Sequence, residues 1–281
     1  MNLRRITARA AVAGVTTALA AGALVGATGT AANAAEAGNT YTCTQAGLGL
    51  TFDSTLTVSG DLPVPQYWAG AAVPAGLLSV TATVDSTTAG MLASYGASEL
   101  RVDDFAFDME GTSVPVPLDG PVEDGAWNGS GTNEAFTTPD PGTASAIMPS
   151  AMTVTAVIGG NDVPLDCVLA DGQTAQTLAS LELLQQSSAT SAKAVSVKKG
   201  KAAKLPVTVT STSLGGPVTS GKVTVKEGKK TLGTGKLNKK GKAVVNLGKK
   251  LKVGKHKVTV TYAGIPSVSG SKAKSTVTVK K

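Results

Sequence analysis

The sequence predicts an all-β protein, with two tandem antiparallel β-sandwiches behind an N-terminal secretory signal peptide. Three observations carry this. Apolar residues alternate with Thr, Ser and Lys more often than they recur at helical spacing, the period of strands with one buried face. Thirty-three Gly and thirteen Pro punctuate the chain as turns between short strands would. The charge is also divided. From Ala35 to Thr190 eighteen Asp and Glu stand against one Arg (Arg101) and no Lys, a net charge of −17. From Ser191 to Lys281 twenty-two Lys stand against one acid (Glu227), a net charge of +21. The overall +7 hides two bodies of opposite sign, which marks separate domains and an electrostatic role for at least one.

Residues 1–34 read as the signal. Arg4, Arg5 and Arg9 form a positive start, an uncharged Ala-rich run extends from Ala10 to Ala32, and Ala32-Asn33-Ala34 has the small-x-small form that signal peptidase accepts. Cleavage is expected between Ala34 and Ala35. An uncleaved anchor is the alternative, but Thr and Gly dilute the run. Arg4-Arg5 raises twin-arginine export, yet Thr7 and Arg9 stand where apolar residues would follow, so general secretion is favoured. No Cys sits at the cleavage site of a lipoprotein, and no transmembrane segment is expected after cleavage.

The only two cysteines, Cys43 and Cys167, lie in the acidic half. An even count in an exported chain argues for a disulfide. It would tie the first strand of the acidic domain to its last. Free thiols in a metal or redox site are the alternative, without accompanying ligands; no metal site or cofactor is expected.

Residues 35–171 are expected to form the acidic sandwich. Strands are read near Thr40–Thr44, Leu48–Ser59, Leu77–Asp85, Glu99–Met109, Ser113–Leu118, Ala151–Ile158 and Val163–Leu169, with turns at Gly60-Asp61, Asp119-Gly120 and Gly159-Gly160. A helix is plausible at Ser86–Tyr95 with Ser86 as its cap. Pro121–Pro149 reads as a long loop or weakly paired hairpin. Residues 172–192, rich in Gln, Ser, Ala and Thr, are taken as a linker, with a helical turn or two at Leu178–Leu184.

Residues 193–281 alternate most cleanly. Lys222–Lys226 puts Val223 and Val225 on one face and Lys222, Thr224 and Lys226 on the other. His256–Tyr262 does the same with Val258, Val260 and Tyr262 against Lys257, Thr259 and Thr261. Five to seven such strands describe a small antiparallel sandwich.

This half resembles the bacterial immunoglobulin-like repeats of surface and secreted proteins. The carrying residues are Gly221-Lys-Val-Thr-Val-Lys-Glu-Gly228, Leu232-Gly233-Thr234, Gly241-Lys-Ala-Val-Val-Asn-Leu247 and Leu251-x-x-Gly254-x-His256-x-Val258-x-Val260-x-Tyr262-Ala-Gly264. Tyr262, ending an inward-facing strand, resembles a tyrosine corner. The resemblance implies a fold and a spacer or adhesive role, without catalysis. The acidic half is similar to a domain of unknown function in secreted proteins of high-G+C Gram-positive bacteria, through Tyr41-x-Cys43, Ser59-Gly-Asp-Leu-Pro63, Thr81-Ala-Thr-Val-Asp85, Val114-Pro-Val-Pro-Leu118 and Cys167-Val-Leu169. That resemblance implies no activity.

Catalytic patterns are sparse. The one histidine, His256, shares its domain with a single acid, Glu227, so the nucleophile–imidazole–acid set of a hydrolase is missing. In Arg101–Glu110 period two places Asp104, Asp108 and Glu110 on one strand face. A solvated face is the expected reading, with a calcium site or a carboxylate-based glycosidase as alternatives. Tyr67-Trp68 and Trp127 fall in Gly/Pro-rich stretches and are expected in loops, folded back onto the core or exposed to stack on a ligand.

The lysine excess exceeds what solubility asks of a small domain. Without Arg, specific nucleic-acid readout is disfavoured; diffuse attraction to polyanions is favoured. Lys222, Lys226, Lys229, Lys230, Lys249, Lys250 and Lys257 are the candidate binding residues. Expected partners are anionic cell-wall polymer or another polyanion, such as anionic lipid or extracellular DNA, or the protein's own acidic domain. No Leu-Pro-x-Thr-Gly signal follows the last strand, so non-covalent retention at the envelope is expected. The chain reads as a non-catalytic exported protein of the cell envelope or extracellular space.

Overall fold

The computed structural model describes residues 35–47, 49–61 and 66–281; the expected signal segment, with Ala34 of its cleavage site, lies outside them. The first domain runs through β1 (Ala35–Gln45), β2 (Leu50–Asp61), β3 (Gln66–Trp68), β4 (Ala72–Val73) and β5 (Ser79–Val84) to a helix, α1 (Ser86–Ser94). Then come β6 (Ala97–Val102), β7 (Ala106–Met109), β8 (Thr112–Pro115), β9 (Leu118–Glu123), β10 (Ala126–Thr132), β11 (Phe136–Thr137) and β12 (Gly142–Ile147). β13 (Ala151–Ile158), β14 (Asn161–Leu169) and β15 (Thr177–Leu184) complete it.

The all-β class holds, and the first domain refines it. Instead of two open layers, eight strands close on themselves in the order β1-β14-β13-β6-β9-β10-β5-β2, and a second sheet, β3-β15-β12-β7-β8, shares their core. Closure leaves the eight strands without an exposed edge. The seam joins Tyr41–Thr44 of β1 to Asp166–Leu169 of β14. Inside that seam the two cysteines, both buried, form the expected Cys43–Cys167 disulfide.

Several local expectations are corrected. Glu99–Met109 is two strands: β6 belongs to the barrel and β7 to the second sheet, with the chain turning at Asp103-Asp104. The common face expected for Asp104, Asp108 and Glu110 is thereby broken. The helix forms as expected, but its cap is Asp85, whose carboxylate accepts from the Thr88 N–H at 2.9 Å. Burial pushes the Asp85 pKa up, and bonds from the Thr88 and Thr55 backbone and from the Thr88 and Ser54 hydroxyls outweigh it, holding the group below its ordinary value. Residues 121–149 supply the end of β9 and β10 to β12. Gly60-Asp61 ends β2 instead of making the turn.

Residues 172–192 do not form a free linker. They contain β15, which pairs antiparallel with β12 and parallel with β3, and then β16 (Ser188–Ala192). Between them Gln186, only 4% exposed, joins the domains. Its Nε2 donates to Ala69 O at 2.6 Å. Its backbone N–H donates to Ser267 O at 2.9 Å and its carbonyl accepts from Ser269 N at 2.8 Å. Gly70 holds a positive φ of 64° against Ser267, where a Cβ would come within 2.8 Å.

The second domain is a sandwich. After β16 come β17 (Val195–Lys198), β18 (Lys204–Ser211), β19 (Lys222–Glu227), β20 (Lys230–Lys236), β21 (Lys242–Asn246), β22 (Gly254–Tyr262) and β23 (Ser271–Lys280). The sheets are β16-β18-β21 and β17-β23-β22-β19-β20. One pairing departs from the antiparallel expectation: β17 lies parallel to β23, because one run crosses from the first sheet to the second without reversing. Gly233 lets β20 approach β21, where a Cβ would meet the Asn246 carbonyl at 2.4 Å. Tyr262 points inward as expected, but its hydroxyl donates to Ser220 O at 3.3 Å. The ring lies over Gly221, so the bond reaches the approach to β19 and not the few residues upstream that define a tyrosine corner.

Two outcomes follow. Replacing Cys43 and Cys167 together with Ala removes a cross-link over 124 residues, so urea unfolding followed by the buried Trp127 should show a loss of about 4–5 kcal/mol. Gln186→Ala leaves the Ala69 carbonyl without its side-chain donor, and amide hydrogen exchange around Ala69–Ala71 should rise while that of β13 and β14 is unchanged.

Candidate functional site

All twenty-two lysines are exposed, and the five-stranded sheet of the second domain gathers many of them on one face. Val223, Val225, Val258, Val260, Tyr262 and Val277 point into the core, so alternation turns their neighbours outward. The outer face carries Lys222, Lys226, Lys236, Lys255, Lys257, Lys272, Lys274, Lys280 and Lys198. Between them stand Thr224, Thr234, Thr259, Thr261, Thr276, Thr278 and Ser196. This face holds neither an acid nor an aromatic residue.

The register sets some lysines beside each other. Lys222 is opposite Lys236 and Lys198 is opposite Lys280. Like charges directly across a ladder are destabilising, and among the described residues no lysine is ion-paired. The one acid of the domain is engaged elsewhere. Glu227, at the end of β19, lies 2.9 Å from His256 Nδ1, while His256 Nε2 is 2.7 Å from the Lys252 carbonyl. Both partners are acceptors, so only the doubly protonated ring satisfies both. The carbonyl of Lys252, then the carboxylate of Glu227, raise the His256 pKa above its ordinary 6.5. His256 thus clasps the loop before β22 to the end of β19.

Of the residues singled out from the sequence, Lys222, Lys226 and Lys257 share the outer face. Lys229 and Lys230 lie at the β19–β20 hairpin, and Lys249 and Lys250 in the loop after β21. Lys198, Lys236, Lys255, Lys272, Lys274 and Lys280 were missed. Their alternation with Thr was visible, but the order in which strands pair was not.

The first domain gathers no comparable set. Among the described residues no three His, Cys, Asp or Glu side chains come together as a metal would require. Asp104 accepts the Thr153 N–H through both carboxylate oxygens, at 3.0 and 3.1 Å. Trp127 is not in a loop: it is 1% exposed on β10 and donates to Gly120 O at 3.0 Å. Tyr67 and Trp68 are half-buried on β3, so no exposed pair of tryptophans offers a stacking platform. The barrel interior leaves about 20 Å³ between Tyr41, Trp127 and their neighbours, room for one water at most. An open groove of about 820 Å³ between the ends of β2, β5 and β10 is lined mainly by Ser, Thr and Gly, with Asp119 and Glu134.

Against this geometry the comparisons can be set. Residues 187–280 match the family of bacterial Ig-like domains, group 3. The second domain is Ig-like. The match begins one residue after Gln186 and takes in β16, which the sequence reading had placed in the linker. No curated protein matches the chain. Similar solved structures include a protein from Corynebacterium diphtheriae described as a candidate membrane-anchored protein, at 14% identity and a TM-score of 0.37, over 88% of this chain and 59% of that one. This chain therefore spans little more than half the length of that protein. Fibronectin(III)-like modules of CbhA from Clostridium thermocellum align at 13% identity and a TM-score of 0.27, over 79% of this chain and 94% of theirs. Superpositions this loose carry no argument about function.

His256 gives the Ig-like domain a pH dependence with a definite sign. Its pKa is raised by folding, so the stability it contributes is full below about 6.5 and is lost as pH rises through the folded value. An NMR titration of the single histidine should find its pKa above 6.5. Glu227→Gln should lower that pKa and flatten the stability profile above pH 6.5.

Proposed function

We propose that this is a non-catalytic protein of the bacterial cell surface or extracellular space, in which the Lys-rich Ig-like domain adheres to an anionic polymer and holds the acidic barrel in place beside it. The observation that carries the reading is the outer face of the five-stranded sheet, where nine lysines stand among hydroxyls with no acid between them. Such a face stores repulsion that a polyanion relieves. The disulfide suits an oxidising compartment, and the match to bacterial Ig-like domains suits a surface role. No helix among the described residues is long and apolar enough to cross a membrane.

A second reading is self-association of the basic domain with an acidic domain of another copy, favoured by net charges of +21 and −17. Within one chain, no ion pair among the described residues joins the two domains. The readings separate in one experiment. The full mature protein should sediment with purified cell walls at low salt and be released as salt rises, because exposed charges are screened over about 8 Å at physiological ionic strength, and it should remain monomeric in sedimentation velocity. Concentration-dependent oligomers without wall binding would favour self-association, and a monomer that ignores walls would overturn both.

A further inference from the structure

Building on the polyanion reading, we infer that the lysines of the five-stranded sheet form a defined track for a linear, acyclic phosphodiester polymer. Six of them cross the sheet diagonally: Lys222 and Lys226 on β19, Lys257 and Lys255 on β22, Lys280 on β23 and Lys198 on β17. The register fixes their order. Lys226 pairs with Thr259, which puts Lys257 on the next diagonal, and Lys255 pairs with Thr278, which puts Lys280 on the next. Lys198 lies directly beside Lys280. Thr224 fills the interval between Lys222 and Lys226.

The spacing follows from sheet geometry. Diagonal neighbours on one face are about 7–8 Å apart, and alternate residues of one strand about 7 Å. The middle of the track, from Lys226 to Lys280, therefore roots one lysine every 7–8 Å or so on the sheet. A polymer to match it carries one anionic group per repeat of similar length. Three backbone bonds of an extended chain span about 3.5 Å, so a repeat of six, as in a three-carbon polyol joined by phosphodiesters, spans about 7 Å.

The face also says what the partner lacks. With no aromatic residue, it gives neither the stacking surface that nucleobases use nor the platform on which sugar rings lie. Its hydroxyls, from Thr224, Thr276 and Thr278 beside the track, are suited to phosphate oxygens, and the compact lysine ammonium acts as a point charge on phosphate. An acyclic backbone needs nothing more. The track extends about 35 Å from Lys222 to Lys198, the length of five or six such repeats.

The test uses the full mature protein and synthetic glycerol phosphate oligomers of defined length. Affinity should rise with length and level off near six repeats. Lys226→Thr, Lys255→Thr, Lys257→Thr and Lys280→Thr combined should weaken binding about tenfold or more. The same number of exposed lysines changed off the track, at Lys193, Lys204, Lys239 and Lys242, should weaken it less than about threefold. Thermal midpoints of both variants establish folding, and Thr suits strands, so the track variant should be no less stable than the parent. An equal loss in the two variants would overturn the track while leaving electrostatic adhesion standing. Stronger binding to a polyuronate or to anionic lipid vesicles than to the phosphate oligomer would overturn the assignment of the polymer. No binding to any of the three would overturn the adhesion reading as well.

Discussion

The alternation of side chains along a strand is the constraint on which both the core and the charged face of the Ig-like domain depend. Successive residues of β19, β22 and β23 point to opposite sides. The same steps that bury Val223, Val225, Val258, Val260 and Val277 hold Lys222, Lys226, Lys257 and Lys274 in solvent. A slip of one residue in the β19–β22 register would move lysines inward and valines outward, and a buried unpaired ammonium is far more costly than an exposed valine. Register is therefore enforced by the core, and the positions of the charges inherit that precision. Flexible lysine side chains stand on a backbone lattice that does not shift.

This coupling explains why the second domain was the more legible half. Its strands have one dry and one wet face, so their pattern is plain in the sequence, and the valine faces read there are the buried ones. What the sequence hid was which strand lies beside which. Lys198, Lys236 and Lys280 could not be joined to Lys222 and Lys226 without the register. In the first domain phase shifts mislead. Leu178 and Leu181 are three apart, which reads as helix, yet both are buried on strand β15 because a bulge opposite Ala146 and Ile147 absorbs one residue. Val102 and Phe105, both buried, are also three apart where the chain leaves β6 for β7. In each case the break in period two was present, and its meaning depended on a partner strand distant in sequence. Trp127 was misplaced for another reason: its Gly-rich surroundings resemble a loop, but Gly129 is the small residue that lets the indole lie across the sheet, and the Gly120 carbonyl accepts the indole N–H.

The acidic domain is held at both ends of its chain. β1 meets β14 at the seam that the Cys43–Cys167 disulfide crosses, and β15 runs almost directly into the Gln186 junction. Since β15 is hydrogen-bonded into the second sheet and Gln186 bonds both Ala69 and the Ser267–Ser269 segment, no free linker separates the domains. Loss of the disulfide would loosen the barrel without touching the Ig-like core, whose residues form a separate cluster. The junction and not a shared core makes the two domains mechanically continuous.

Electrostatics gives that continuity a consequence. Two bodies of charge −17 and +21 attract, and on a flexible tether their surfaces would collapse onto each other at low ionic strength. Here the backbone bonds around Gln186 fix the contact at a small neutral patch of Ala69, Gly70, Ser267 and Val268, and among the described residues no lysine is paired with a carboxylate across it. The lysine face is thus spared neutralisation by its own chain. Within the Ig-like domain His256 has a matching effect, because the clasp on Glu227 draws the one local carboxylate to the end of the inner side of the sheet. Both devices leave the outer face with unpaired positive charge. Like-charge pairs such as Lys222–Lys236 weaken an isolated domain, so this arrangement gains most in stability when an external polyanion lies against it.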